Sequence, residues 1–312
     1  MTIPAGTAVT LRVPASSANL GPGFDCVGLA LGVWDECTVT VTDEPGLVVD
    51  VAGSGADSVP RDGSHLVVRT IFTAWQRLGV TAPAGLHLSA TNTVPHGRGM
   101  GSSATAIVSG VAAAHALAVR GGVLAAEELD LTAINTIASA LEGHPDNASA
   151  SVFGGATLSV TDAGEPLPRT RTVPLRLHPQ IAAVVLVPET QLSTHTARSV
   201  LPEVVPLATA AANSARTGLL VHALTTEPDL LLTATTDLLH QEARRPSYPQ
   251  SMALVDALRE GGLAATISGA GPSVLVLTSD DRVDQVRRIA AAAPSPWQVL
   301  TPGVPERGVQ LV

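Results

Sequence analysis

Three glycines alternate with other residues and run into two serines at 95–104, Pro-His-Gly-Arg-Gly-Met-Gly-Ser-Ser-Ala. Gly97, Gly99 and Gly101 permit positive φ and let the backbone approach a ligand closely. The pattern before them reads as a strand and the pattern after them as a long helix. Ser102 and Ser103 therefore fall where the first N–H groups of a helix have no internal partner. Those amides and the helix dipole favour an anion there, and the hydroxyls can serve a phosphate or Mg²⁺. A lone glycine-rich turn is more often a plain helix entry, but two companions argue for chemistry. The segment 14–25, Pro-Ala-Ser-Ser-Ala-Asn-Leu-Gly-Pro-Gly-Phe-Asp, spaces Ser16, Ser17, Asn19 and Asp25 through a Gly-Pro turn after a strand. A merely structural turn needs the glycines and proline and not the polar groups as well. The segment 267–273, Ile-Ser-Gly-Ala-Gly-Pro-Ser, offers a second close backbone approach at Gly269 and Gly271. No strand–GxGxxG–helix with a downstream acid is present, so this is not a dinucleotide fingerprint.

Composition narrows the chemistry. All 18 cationic residues are arginine, which excludes a lysine Schiff base, ordinary pyridoxal-phosphate catalysis and a Walker A loop. The net charge of −9 does not fit a nucleic-acid-coating surface. With 45% hydrophobic and only 2% aromatic residues, the core must be built from Ala, Val, Leu and Ile at high density. Two cysteines, Cys26 and Cys37, make no disulfide framework and read as reduced, buried thiols. The first ten residues lack the features of a secretory signal. The most apolar stretch, 104–119, is interrupted by Ser109, Gly110 and His115 and is shorter than the roughly 20 residues of a membrane span. A cytoplasmic protein without membrane contact is expected.

The elements that position these motifs follow from periodicity. Alternation at Val9, Leu11 and Val13, and again over 38–41, 47–51 and 85–90, predicts strands. Val67, Ile71, Ala74, Trp75 and Leu78 share a helical face that opens near Ser64 and closes at Gly79. Helices are expected from Ser102, over 125–141, and in the second half over 206–224, 229–241, 249–260 and 282–293. Further strands are expected over 156–160, 182–187, 264–268, 273–278 and near Gln298. The stretch 162–174 has no periodicity and is rich in Pro, Thr, Gly and Arg, so it marks a boundary between domains. At 312 residues and 31.7 kDa two packed domains are expected, at 1–168 and 169–312, with an α+β second half.

The three motifs, in this order, are similar to those of the small-molecule kinases that include galactokinases, homoserine kinases, mevalonate kinases and phosphomevalonate kinases. The segment from Ser17 to Asp25, the Glu-Gly-His-Pro-Asp-Asn run at 142–147 with Phe-Gly-Gly at 153–155, and Leu-Ser-Thr-His-Thr-Ala-Arg at 192–198 with Leu201 and Pro202 resemble most closely the homoserine-phosphorylating branch. The match spans about residues 9–280. It implies a first domain of the ribosomal protein S5 domain 2 type, with a left-handed βαβ unit, and a ferredoxin-like second domain. It also implies ATP and L-homoserine as substrates, Mg²⁺ as cofactor, and a homodimer.

By the same resemblance the ATP triphosphate belongs on Pro95, His96, Gly97, Arg98, Gly99, Met100, Gly101, Ser102 and Ser103, with His65 near the adenine. Ser103 and Glu142 are the implied Mg²⁺ ligands, Ser102 being the alternative hydroxyl. Homoserine is a zwitterion with a hydroxyl. Asp25 suits its ammonium, Arg198 and Arg244 its carboxylate, and Asn147 its hydroxyl, with Asn19, His144, Thr194, Gly269 and Gly271 around them. Where relatives show Asn, Leu and Pro-Tyr-Arg, this chain has His65, Met100 and Glu242-Ala-Arg-Arg245, so Arg245 is an alternative to Arg244. Asn147 cannot accept a proton, so no dedicated general base is expected; a solvent-exposed Asp146 is the alternative. A kinase for another small alcohol, a nucleotide sensor without turnover, and a protein whose glycine loops are only turns are the competing readings.

Overall fold

The computed structural model describes residues 2–164 and 168–312, and of residue 194 the backbone only. In chain order the elements are β1 (Ala8–Asn19), β2 (Gly23–Val41), β3 (Gly46–Gly53), α1 (Leu66–Leu78), β4 (Gly85–Asn92), α2 (Ser102–Arg120), α3 (Leu131–Glu142), α4 (Pro145–Phe153), β5 (Ala156–Asp162), β6 (Arg169–Leu175) and β7 (Ala182–Val187). They continue with α5 (Thr194–Ser199), α6 (Leu207–Thr225), α7 (Leu231–Ala234), α8 (Gln241–Arg244), α9 (Pro249–Glu260), β8 (Ala264–Ile267), β9 (Val274–Thr278), α10 (Val283–Ala291), β10 (Gln298–Leu300) and β11 (Gln310–Leu311).

Two sheets organise the chain. The first runs β11-β1-β2-β4-β3, with β5 also on β2 and β6 on β5; the second runs β10-β7-β9-β8. Among the described strands, β3 and β4 alone pair in parallel, joined through α1. The second sheet is antiparallel throughout. Its alternation explains its sequence. Ala183, Val185, Leu275 and Leu277 face one apolar cluster, while Val184, Leu186, Val274 and Val276 face another built on α9 and α10. Both faces are buried, so β7 and β9 read as unbroken apolar runs.

The cluster on the first face is shared between the two sheets. It joins Ala15, Leu29, Leu31 and Met100 to Val185, Leu220 and Leu275. The N-terminal core lies on the other side of the first sheet, where α1 and α2 meet closely. A Cβ on Gly110 would lie 2.7 Å from Thr70 Cβ, and Trp75 Nε1 donates to Ala114 O at 3.0 Å. Helix α2 is long and apolar enough to cross a bilayer by length and composition, and 78% of that window is buried. It is the central core helix of this domain, extending past 104–119 only by Ser102, Ser103 and Arg120.

Several expectations are corrected. Strands β1 and β2 extend through the first motif, because Ala15, Ser16, Ser17 and Ala18 are buried on both faces and show no alternation. Helix α3 begins at Leu131, not near 125, because Asp130 caps it by accepting from Ala133 N at 2.9 Å. Pro145 starts α4 rather than merely ending the preceding helix; Pro fits the first helical position, where no N–H is needed. The helix expected over 229–241 is broken, with only Leu231–Ala234 α-helical between a 3₁₀ turn and a bend. The division expected after residue 168 falls inside a hairpin, since β6 pairs with β5 from Asp162↔Arg169 onward. The chain leaves the first sheet only after Leu175 and returns to it at β11. Of the two thiols, Cys37 is buried but Cys26 is half-exposed. Burial raises them to about 12 and about 11, so both are protonated.

Gly28 is the contact on which α4 rests. A Cβ there would lie 2.0 Å from Asp146 O. Gly28→Ala is expected to destabilise the protein by about 1–3 kcal/mol through overpacking, read as a lower urea midpoint, with substrate affinity weakened because Asp146 and Asn147 are displaced.

Candidate active site

The glycine loop is fixed from behind. Gly97 O accepts from Leu192 N at 2.8 Å, Arg98 O from Ser273 N at 3.3 Å and Met100 O from Ser16 N at 3.1 Å. Gly99 O accepts from Ser268 Oγ at 2.6 Å. Four consecutive carbonyls are thus engaged, and the three glycines hold φ of 64°, 71° and 72°. Successive peptides arranged in this way make an anion-binding nest. Gly101 is the residue preceding α2, whose first turn has no side-chain cap. Larger residues do not fit. A Cβ on Gly99 would lie 2.3 Å from Ser268 O, and one on Gly101 2.2 Å from Ser16 Oγ. Asp35 anchors the loop's entry, accepting from Thr93 N at 2.7 Å, Val94 N at 2.9 Å and Thr105 Oγ1 at 3.0 Å. Burial raises the Asp35 carboxyl, and these three donors oppose that shift.

Two cavities meet at Gly97, Ser102 and Ser103. The first, about 360 Å³, is lined by Cys37, Pro60, Val67 and Ala106 together with His65 and His96. The Nδ1 of His65 is buried there without a partner, and burial lowers the imidazole pKa, with His96 and Arg61 acting in the same direction. A largely apolar slot of this size, lined by two histidines, suits a heteroaromatic base.

The second cavity, about 120 Å³, is polar. Ser103 Oγ donates to Glu142 Oε2 at 2.8 Å. Burial raises the Glu142 carboxyl, against the pull of His144 and the Ser103 bond. His144 Nδ1 sits 2.8 Å from Asp146 Oδ1. Burial disfavours the imidazolium, but that bond and the neighbouring Asp146 and Glu142 charges outweigh it, and the net shift is upward. Asn147 lines the same wall, its Oδ1 held by Ser16 Oγ at 3.0 Å. Opposite, Arg198 makes a two-point ion pair with Asp25. Arg244 is 1% exposed and lines the cavity with no carboxylate within ion-pair distance among the described residues.

The first motif is strained to serve this cavity. Asn19, Leu20 and Asp25 have φ of 72°, 46° and 56°, conformations costing about 1–3 kcal/mol each for residues with a side chain. Asn19 holds them: its Oδ1 accepts from Asp25 N at 3.1 Å and its Nδ2 donates to Gly269 O at 3.0 Å. The first and third motifs are thereby tied together. Gly269 and Gly271 line the polar cavity beside the loop.

Most of the expected residues converge, and some do not. Gly97, Gly99, Gly101, Ser102, Ser103, Asn19, Glu142, His144, Asn147, Arg198 and Arg244 share the polar cavity. Pro95 lines neither cavity. Met100 turns its side chain into the shared core, fully buried, and offers the site only its backbone. The Arg98 guanidinium reaches away, to Pro188 O and Glu189 O at 2.9 Å each. Asp146 is buried at 1% exposure rather than solvent-exposed. Asp25 and Arg198, assigned to opposite ends of a zwitterion, are each other's partners here. Arg245 pairs with Glu242 and Asp256 outside the cavity, so the cation facing it is Arg244. The side chain of Thr194 lies outside the described residues. Phe24, Asp35 and His240 were not anticipated. The spacing of His240 and Arg244, four apart, was the available clue.

A nest at a helix N-terminus, opening on one side to a base-sized slot and on the other to a pocket of opposed charges, defines an ATP-dependent small-molecule kinase. The chain belongs to the GHMP kinase family: residues 65–155 match the GHMP kinases N terminal domain and residues 221–295 the GHMP kinases C terminal model. It is 50% identical over 299 residues to the homoserine kinase of Rhodococcus opacus, covering 93% of this chain and 94% of that one. It is 46% identical over 305 residues to that of Streptomyces coelicolor, covering 98% and 94%. The crystal structure of homoserine kinase from Cytophaga hutchinsonii superposes with a TM-score of 0.82 at 25% identity, over 98% of each chain. Mevalonate diphosphate decarboxylase from Staphylococcus aureus shares the fold, with a TM-score of 0.70 at 16% identity and 98% coverage of both chains.

Because burial raises the Glu142 carboxyl, the folded state binds its proton more tightly than the unfolded chain does. The charge therefore opposes folding above the raised value, and the penalty disappears as pH falls below the unfolded value of about 4.3. Glu142→Gln is expected to raise the melting temperature of the ligand-free protein at pH 7.5 by about 1–2 °C. The difference from wild type should shrink to nothing near pH 4 in a series of thermal melts.

Proposed function

We infer that this chain transfers the γ-phosphoryl group of ATP to the side-chain hydroxyl of L-homoserine, giving ADP and O-phospho-L-homoserine on the route to threonine. The observation that carries the reading is the charge pattern of the polar cavity. Two guanidiniums, Arg198 and Arg244, line the cavity with the glycine loop, and the Asp25 carboxylate stands beside it, paired with Arg198, while Glu142 and Asp146 line it as well. That is the complement of an amino acid whose hydroxyl must face a phosphate, and neither a sugar nor a neutral alcohol needs it. Near 50% identity to homoserine kinases over almost the whole chain supports the same substrate.

In this reading the adenine occupies the slot beside His65, and the triphosphate lies on the amides of 97–103. Mg²⁺ fits the hydroxyl of Ser103 and the carboxylate of Glu142, hard oxygen donors at the edge of the phosphate seat. Held there, it would supply neutralising charge to the transferring phosphate. The substrate carboxylate displaces Arg198 from sole attachment to Asp25 and takes the free face of Arg244. Asp25 holds the ammonium, and Asn147 orients the hydroxyl. The hydroxyl oxygen attacks the γ-phosphorus and the bond to the β,γ-bridging oxygen breaks. Its electron pair leaves on ADP, and the hydroxyl proton passes late to a γ-phosphoryl oxygen. Asp146 has Oδ1 committed to His144 and to the Asn147 amide at 2.8 Å each, so it is an organiser of the wall rather than the base.

The first domain is read as S5 domain 2-like, supported by the parallel β3–α1–β4 unit. The second is read as ferredoxin-like: β7, α9, β8, β9, α10 and β10 follow the βαββαβ order, and the sheet order β10-β7-β9-β8 fits it. The division is drawn after Leu175, with the last strand belonging to the first domain. A cytoplasmic homodimer is proposed from the family resemblance; the charge of −9 and the burial of α2 favour neither nucleic acid nor membrane as partner.

A coupled ADP assay across homoserine, mevalonate, galactose and shikimate should give turnover with homoserine alone; preference for another alcohol would overturn the reading. Ser103→Ala and Glu142→Gln are each expected to lower kcat about 10²–10³-fold, the scale of losing one transition-state charge contact, with the Mg²⁺ requirement shifted to higher concentration. Asp146→Asn should keep kcat within about tenfold if it folds normally. A loss of about 10³ or more would make Asp146 the general base instead.

A further inference from the structure

Arg244 is a buried cation with no carboxylate within ion-pair distance among the described residues, Asp25 and Asp237 acting on it only from farther away. Its Nε donates to Ala197 O at 2.8 Å and its Nη1 points at His240 Nδ1, 3.0 Å away. The rest of the guanidinium fork lines the cavity, with the Tyr248 hydroxyl as its near neighbour. A buried charge with no ionic partner is costly, and burial accordingly lowers the Arg244 pKa. The fold nevertheless places an imidazole, not a carboxylate, against it.

The protonation of that imidazole is dictated by its partners. His240 Nε2 lies 2.9 Å from Gly21 O. A carbonyl only accepts, so Nε2 carries the hydrogen. Arginine only donates, so Nδ1 must present its lone pair. His240 is therefore the neutral Nε2–H tautomer, and its burial, at 1% exposure, favours the same state. Asp237 stands 3.5 Å from Nε2, but its carboxylate is occupied by the amides of Leu239, His240 and Gln241 at 3.1, 2.9 and 2.7 Å. The Phe24 ring stacks on the imidazole with centroids 5.1 Å apart and also carries both guanidiniums, with the Cζ atoms of Arg198 and Arg244 at 5.5 and 5.7 Å. Gly21 in turn cannot shift easily, since a Cβ on it would lie 2.3 Å from Thr235 O.

We propose that His240 is a positioning residue for the amino-acid substrate: as a neutral acceptor pinned to Gly21, it aims Arg244 at the substrate carboxylate without discharging it. The proposal rests on Arg244 being the carboxylate's partner. An aspartate or glutamate in this place would align the guanidinium equally well and cancel the charge that selects the ligand. His240 thus couples the first motif, which holds Asp25, to the cation at the far end of the same zwitterion.

The test compares homoserine with 3-aminopropan-1-ol, which keeps the hydroxyl and ammonium and lacks the carboxylate, by steady-state kinetics at saturating MgATP. His240→Ala is expected to raise KM for homoserine about 10- to 100-fold, the scale of losing a hydrogen bond to a charged group, with kcat and the KM for ATP nearly unchanged and kcat/KM for the amino alcohol unaltered. His240→Asn, whose Oδ1 can stand where Nδ1 stood, should recover most of the loss, whereas His240→Asp should not. An equal loss for both substrates in His240→Ala, or failure of a well-folded His240→Asn to recover homoserine binding, would overturn the proposal. If His240→Ala leaves discrimination intact while Arg244→Ala destroys it, the proposal falls and the carboxylate reading stands. If Arg244→Ala itself leaves discrimination intact, that reading falls and the proposal with it.

Discussion

The site depends on four peptide carbonyls being turned backward. Gly97, Arg98, Gly99 and Met100 each give their oxygen to a partner from a different part of the chain: Leu192, Ser273, Ser268 and Ser16. With the oxygens engaged elsewhere, the loop can offer its N–H groups to an anion, which under the proposed function is how a chain without lysine receives a polyphosphate. Positive φ at the three glycines is the backbone's route to that orientation. The partners come from both domains, so the conformation of the loop depends on the packing of the two sheets.

The two ends of the reactant path are held by different physics. At the end proposed for the nucleotide, a largely apolar slot with a histidine of lowered pKa and the loop amides offers shape and dipoles. At the acceptor end formal charges dominate: an Asp25–Arg198 pair, a lone Arg244, and the raised Glu142 and His144 groups. Glu142 is less stable charged than it would be in water, which fits the cation-holding role proposed for it. The strained residues Asn19, Leu20 and Asp25 lie at the same end, where geometry must be most exact and where strain is commonly stored.

Much of this was legible in the sequence. Local chemistry wrote itself plainly wherever backbone conformation forced a residue type, as at Gly97, Gly99 and Gly101, or wherever amphipathic spacing was strong, as over Val67, Ile71 and Trp75. The resemblance brought Ser103 and Glu142 together before any distance was known, and they hydrogen-bond at 2.8 Å. Periodicity failed where both faces are buried among small residues: the end of β1, and α4 with its run of Ala148, Ser149, Ala150 and Ser151, carry no alternation to read. Side-chain direction was also hidden. Nothing in the spacing shows that Met100 faces the core, that Arg98 reaches across to Pro188, or that Asp25 and Arg198 meet. His240 stayed invisible because a buried histidine has no distinctive neighbourhood in sequence, only in space.

The path of the chain adds one more property. The second sheet is entered after Leu175, at the end of a hairpin belonging to the first, and is left before Gln310 rejoins β1 beside Arg12. It is topologically a guest inside its neighbour, with both of its ends moored to the host. Together with the apolar cluster common to both sheets, that double mooring couples the two halves more tightly than a single linker would.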